Sequence, residues 1–398
     1  MKIIKGLFVT LIILAVAVFA AFIFLPVDSF VAKRAAEMNG YEIVESFSDT
    51  EYRYYYNTLS EDEQLAYRLI CSCITDFPEE IIVPALSDKE LEQVFAALSY
   101  DNPEYFFLGN KCTLTSIGNV YYFMPQYLMS KGEYDKRISE VNAKADEVLS
   151  AIDKNASDYE KELYIHDYLA ENCTYSLTET DMAYTIYGLL IDGKAGCEGY
   201  SRTAQYLLKK MGIVNHLATG TAVDGLGNRA GHMWNVVVID GQGYNMDITW
   251  DDYSLESGGD SAYSNEPSHA YFNISSSDLS KTHTADDENV WRECVSASYN
   301  YYERLGLKFD TYNNSVENKI QSEIVKVLSK GNLSIEILFT NVSAYDKALE
   351  SLVEDENLYR MLREANELVP SSKRINSSKI QYTLDKNKLI IRFFFVKQ

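Results

Sequence analysis

The alternation of apolar and polar side chains changes character several times along the chain. From Leu7 to Leu25 the run LFVTLIILAVAVFAAFIFL carries no charge over nineteen residues. As a helix it would span about 28 Å, enough for a bilayer core. Lys2 and Lys5 precede the run, so positive charge is expected to hold the N-terminus inside and send the remainder outside. The run is longer than a usual signal-peptide core and no A-x-A cleavage site follows it. Residues 1–25 are therefore expected to be an uncleaved anchor, with secretion after cleavage as the alternative. No cysteine sits just after the run, which argues against lipid modification of the N-terminus. Residues 26–45, opening at Pro26, read as a juxtamembrane linker.

From residue 46 to 150 the period becomes helical. Ser60 with Glu63, and Ser87 with Glu90, have capping-box spacing ahead of apolar repeats, which predicts helices starting near both serines. The second should end at Asp101-Asn102-Pro103. Two or three short strands are expected up to Tyr127, then an amphipathic helix through KGEYDKRISEVNAKADEVLSAI. This is a mostly helical N-terminal module. Residues 151–305 mix two helical patterns with glycine-bounded strands. Residues 306–398 read as strand, long helix (about Ser343 to Leu368) and hairpin, a small α+β domain.

Length and composition narrow the function. At 398 residues, 46% hydrophobic and 24% charged, the chain has the balance of a folded protein of two or three domains. Its formal charge of −22, from 58 acidic against 36 basic residues, would repel a phosphate backbone, and no basic patch offsets it, so no nucleic-acid partner is expected. The 31 tyrosines read as scattered amphipathic core and rim residues rather than a sugar-stacking face. Six cysteines, at 71, 73, 112, 173, 197 and 294, form no CxxC pattern and fit no zinc template, so neither metal nor cofactor is expected. The acidic loop DDYSLESGGD lacks EF-hand spacing.

One constellation carries chemistry. GKAGCEGYSRTAQYLLKK puts Cys197 after Gly193 and Gly196 and at the start of a helical pattern. There the helix dipole favours thiolate, and unpaired backbone N–H groups can hold an oxyanion. Further on, GHMWNVVVIDGQGYNMDITWDD reads as a hairpin with His232 on one strand and Asp247 on the other. An imidazole can take the thiol proton while a carboxylate fixes its tautomer. The register decides whether they meet. A turn at Gly241-Gln242 would pair Asp247 with Val236 and leave His232 about 13 Å away; a turn nearer Ile239-Asp240, or a bulge, would bring them together. His166 and His216 read as structural histidines, and His269 and His283 as weaker rivals in or near loops.

Together, GKAGCEGYS, GHMWNVVVIDG and YNMDITWDD resemble, in order and spacing, the three signature blocks of the transglutaminase-like superfamily. The resemblance covers roughly residues 155 to 275. It implies an α+β fold with a papain-like core, a helix-borne cysteine packed on an antiparallel sheet, and a triad of Cys197, His232 and Asp247. It also suggests Tyr187 as an oxyanion partner, with Glu198 and Trp234 supporting the loop and shielding the triad. Gly196 before the cysteine, where the family commonly has an apolar residue, and Met233 after the histidine are departures that remove no catalytic group. The implied activity is acyl transfer on amide or peptide bonds of a protein or peptide, cell-wall peptides included, with hydrolysis ahead of cross-linking. The alternative is a catalytically silent surface module binding proteins or wall polymer.

Overall fold

A computed structural model describes residues 30, 33–34, 36–37, 40–117, 120–176, 181–224, 227–252, 267–286 and 294–398. The protein is a mixed α+β protein with antiparallel sheets and a helical N-terminal region. Among the described residues no helix is long and apolar enough to cross a membrane. The apolar run Leu7–Leu25 lies outside them.

Two compact units interleave along the sequence. One takes residues 1–154, 176–218 and 287–290; the other takes 155–175, 219–286 and 291–398. In the first, α1 (Glu61–Cys73) leads to β1 (Ile81–Val83), α2 (Asp88–Asp101), β2 (Leu108–Ile117), β3 (Val120–Tyr127) and α3 (Lys131–Ser150). Both expected serine caps are present. At α2 the Ser87 hydroxyl accepts from the Glu90 N–H at 3.3 Å while Glu90 accepts from the Ser87 N–H at 2.7 Å, which satisfies two of the donors that a helix start leaves bare. The strands form a three-stranded antiparallel sheet, β1-β3-β2.

The chain then enters the second unit with α4 (Asp158–Asn172), returns to the first for α5 (Ile186–Leu190) and α6 (Cys197–Lys210), and continues into β4 (Asn215–Val223). From Thr219 on, β4 belongs to the second unit. There β5 (Arg229–Ile239) and β6 (Gln242–Met246) form a hairpin, followed by the single turn α7 (Ile248–Asp251), α8 (Ser276–Leu279) and β7 (His283–Ala285). The sheet order is β6-β5-β4-β7. Edge strand β7 is only three residues long and pairs Gly220 with Ala285. A Cβ at Gly220 would lie 2.1 Å from the Thr284 carbonyl oxygen, so only glycine lets β7 approach this closely.

The C-terminal part adds α9 (Tyr301–Leu305), β8 (Lys308–Phe309), α10 (Asn314–Lys330), β9 (Ser334–Phe339), α11 (Val342–Leu349), α12 (Asn357–Leu368), β10 (Ile375–Asp385) and β11 (Ile390–Lys397). Its sheet runs β8-β9-β11-β10. The long helix expected from Ser343 to Leu368 is broken: Glu350–Glu354 widens to a π turn and Glu356 is left-handed at φ 61°. Phase explains the break. Ala344, Ala348 and Leu352 face the core, and so do Leu358, Met361 and Leu362. A continuous helix would carry Leu358 about 120° out of line with Leu352; the π turn resets the stripe.

Phe393 lies at the centre of this core, fully buried on β11 between β9 and β10. Phe393→Ala should cost about 3–5 kcal/mol in chemical denaturation. Val342→Ala, at a position 60% exposed, should stay within about 0.5 kcal/mol; equal losses would place the core elsewhere.

Candidate active site

The β5–β6 hairpin turns at Asp240-Gly241, both with positive φ (49° and 73°), the geometry of a tight two-residue hairpin loop. Ile239 pairs with Gln242, and the register runs to Asn235 opposite Met246. This lies between the two registers considered from sequence. One step further sets Asp247 against Trp234, leaving His232 two residues along on the same face of β5. The contact is diagonal, within reach of a long side chain: His232 Nε2 lies 2.7 Å from Asp247 Oδ2.

Asp247 is fully used. It is 1% exposed. Its Oδ1 accepts from the Trp250 N–H at 3.3 Å and so caps α7. Its Oδ2 also receives His283 Nε2, at 3.0 Å. Burial alone would raise this carboxyl, but the His232 and His283 imidazoles outweigh it and hold the group well below the usual carboxylate range. With Nε2–H donated to Asp247, neutral His232 carries its lone pair on Nδ1, the tautomer a general base needs. The Thr282 hydroxyl lies 2.9 Å from His283 Nδ1, so that ring too can donate from Nε2 as a neutral group.

His283, which reads from sequence as a weaker rival base, instead shares the Asp247 carboxylate with His232. It was placed in or near a loop, but it lies on edge strand β7, next to β4 and opposite Ala222. The local THT triplet held no usable signal, because the pairing partner is some sixty residues earlier. Trp234 is fully buried, donates Nε1–H to Asn245 Oδ1 at 3.2 Å, and stands 6.4 Å from the His232 ring. Trp250 packs on both rings, at 5.9 Å from His232 and 4.7 Å from His283.

Cys197 is described with the first unit, His232 and Asp247 with the second. It is the first residue of α6, behind Gly196 in extended conformation, and is half-buried. Glu198 pairs with Arg202 at 3.5 Å. Arg202 in turn donates to Ser99 O and Ser99 Oγ, tying the start of α6 to α2. The Tyr187 hydroxyl donates to Glu140 at 3.1 Å. Burial pushes the Cys71 and Cys73 thiols up to about 12 and Cys112 to about 11, which makes them poor nucleophiles. His216 stacks on Tyr54 at 3.8 Å, and His166 and His269 are held by carboxylates.

Residues 142–248 match the family model described as the transglutaminase-like superfamily. A search of curated protein sequences gives no match. Among solved structures, a transglutaminase ("TGase") aligns at 16% identity over 43% of this chain and 50% of its own, with a TM-score of 0.26. A candidate cysteine protease from Cytophaga hutchinsonii aligns at 10% identity over 35% and 61%, TM-score 0.24. The arylamine N-acetyltransferase NAT3 of Bacillus cereus, described with a Cys-His-Glu triad, aligns at 16% identity over 28% and 50%, TM-score 0.23. The chain thus spans between half and about three-fifths of these structures.

Because the Asp247 pKa is lowered in the folded protein, its charge stabilises the fold above the unfolded value of about 4, and this contribution fades as the pH falls through the folded value. Asp247→Asn should therefore melt lower than wild type at pH 7, with the gap closing in strong acid. A gap independent of pH would show that the carboxylate charge contributes nothing.

Proposed function

Starting from residues 142–248 as a core of the transglutaminase-like superfamily, we propose that the protein is a cysteine acyl-transfer enzyme with Cys197 as nucleophile, His232 as base and Asp247 as the orienting carboxylate. The observation that carries the reading is the buried 2.7 Å contact from His232 Nε2 to Asp247 Oδ2, on the hairpin whose sequence carries two of the three signature blocks. The reading requires Cys197 Sγ to come within hydrogen-bond reach of His232 Nδ1.

The thiol proton passes to Nδ1 and the thiolate attacks an amide or peptide carbonyl carbon. The tetrahedral oxyanion is held by N–H groups of the first turn of α6, which have no acceptor within the helix. Collapse breaks the C–N bond, the imidazolium gives its proton to the departing amine, and an acyl-enzyme remains. Asp247 stabilises the imidazolium throughout. The Tyr187 hydroxyl, spent on Glu140, is given no part. Water then regenerates the thiol, which makes the enzyme a hydrolase or peptidase; a lysine amine in its place would make a cross-link. Protein or peptide chains outside the cytoplasm, cell-wall peptides included, are the proposed substrates, on the strength of the apolar run Leu7–Leu25.

Iodoacetamide labelling tests the pairing. At about pH 6, Cys197 should label faster than the other five thiols. His232→Ala should slow it at least ~10-fold, and Asp247→Asn and His283→Ala should slow it less. Labelling of Cys197 that is slow and unchanged by His232→Ala would overturn the triad and favour the silent binding module.

A further inference from the structure

A second group of two imidazoles around one carboxylate lies in the same unit. Asp167 Oδ1 is 2.9 Å from His166 Nδ1 and 3.0 Å from His269 Nε2, and the three atoms lie within 4.8 Å of one another. His166 and Asp167 belong to α4, and His269 follows Pro267 in the segment after α7. The far nitrogens are also engaged by carboxylates: His166 Nε2 is 3.2 Å from Asp251 Oδ2, and His269 Nδ1 is 3.1 Å from Glu336 Oε2.

Donor accounting sets this group apart. Four nitrogen–oxygen contacts run in a row from Asp251 through His166, Asp167 and His269 to Glu336. Each contact needs one hydrogen. A neutral imidazole has one N–H and an ionised carboxylate has none, so two neutral rings fill only two contacts. In the Asp247 group, by contrast, two rings serve two contacts and the count closes. Two imidazolium rings would close it, and so would a divalent cation at the inner position: with the cation, both rings turn a lone pair inward and donate N–H outward, to Asp251 and Glu336. Metal-bound histidines are held this way, by a carboxylate on the far nitrogen.

Charge and rigidity agree. Three carboxylates stand in this row, and Arg392 lies 3.1 Å from Glu336, so two negative charges remain for a dication to balance. The His269 ring stacks on Tyr301 at 3.7 Å and 6°, and Phe272 meets the His166 ring edge-on at 5.0 Å, which fixes the ligands in place. The Asp167 side chain is 34% exposed against 0% for His166, an opening through which an ion could enter and water could supply a fourth ligand.

We propose that His166 Nδ1, Asp167 Oδ1 and His269 Nε2 form a site for one first-row divalent cation, zinc by its preference for imidazole, tying α4 to the 267–269 segment. The site is independent of the acyl-transfer reading. Cysteine spacings and the EF-hand pattern, on which the sequence reading expects no metal, carry no signal for histidines and a carboxylate brought together from residues 166–167 and 269.

The test uses the full chain, stripped with chelator and dialysed against zinc or cobalt(II). Wild type should retain about one zinc per chain by elemental analysis, show the visible bands of four-coordinate cobalt, and melt at a higher temperature when loaded. Asp167→Asn and His269→Gln should weaken binding ~100-fold, whereas Asp247→Asn should not. No stoichiometric zinc in wild type would overturn the proposal and leave two imidazolium rings as the fill. Binding lost in Asp247→Asn but kept in Asp167→Asn would overturn it as well, by moving the ion to the other group. Should His269→Gln fail to fold by circular dichroism, the half-exposed Asp167→Asn and the wild-type stoichiometry still decide.

Discussion

The Asp247 carboxylate is the constraint around which the second unit's sheet is arranged. Burying an unpaired charge costs several kcal/mol, and Asp247 is 1% exposed, so its donors must all be in place. They arrive from three elements: His232 on β5, His283 on β7 and the Trp250 N–H at the start of α7. The sheet, the hairpin turn and the short helix therefore have to form together. A one-residue slip of the hairpin would swing His232 to the opposite face, leaving the charge short of its main partner.

How much of this was readable in advance depended on how far apart the partners lie in sequence. The caps of α1 and α2 were legible because serine and glutamate three residues apart interact within one turn. The hairpin was legible as a hairpin, and its Asp240-Gly241 turn is of a favoured type, yet the His232–Asp247 contact proved diagonal, a geometry that counting opposite pairs misses. His283 was illegible because its meaning comes from a strand pairing across some sixty residues. The break in the Ser343–Leu368 stretch left no proline or glycine to announce it; only the phase of the apolar stripe shows it, and α10 was passed over although its Asn313 cap and terminal Gly331 bracket it.

The two histidine–carboxylate groups show that residue types alone do not define a site. Each places one aspartate oxygen between two imidazoles. What differs is the partner of the far nitrogens: the Thr282 hydroxyl beside His283 can give or take a hydrogen, whereas the carboxylates of Asp251 and Glu336, when ionised, can only accept. One arrangement closes its hydrogen count with neutral rings, and the other needs added protons or a cation.

Gly220 has no functional group and lies on β4, between the hairpin and the edge strand. Yet the carbonyl of Thr284 stands where its side chain would begin, and His283 is the neighbouring residue on that strand. Drift at position 220 is thus confined by a contact made elsewhere: a larger residue would push the edge strand outward and take an imidazole from the buried acid. A lineage that kept every titratable residue of the hairpin could still lose the site through this one silent-looking change.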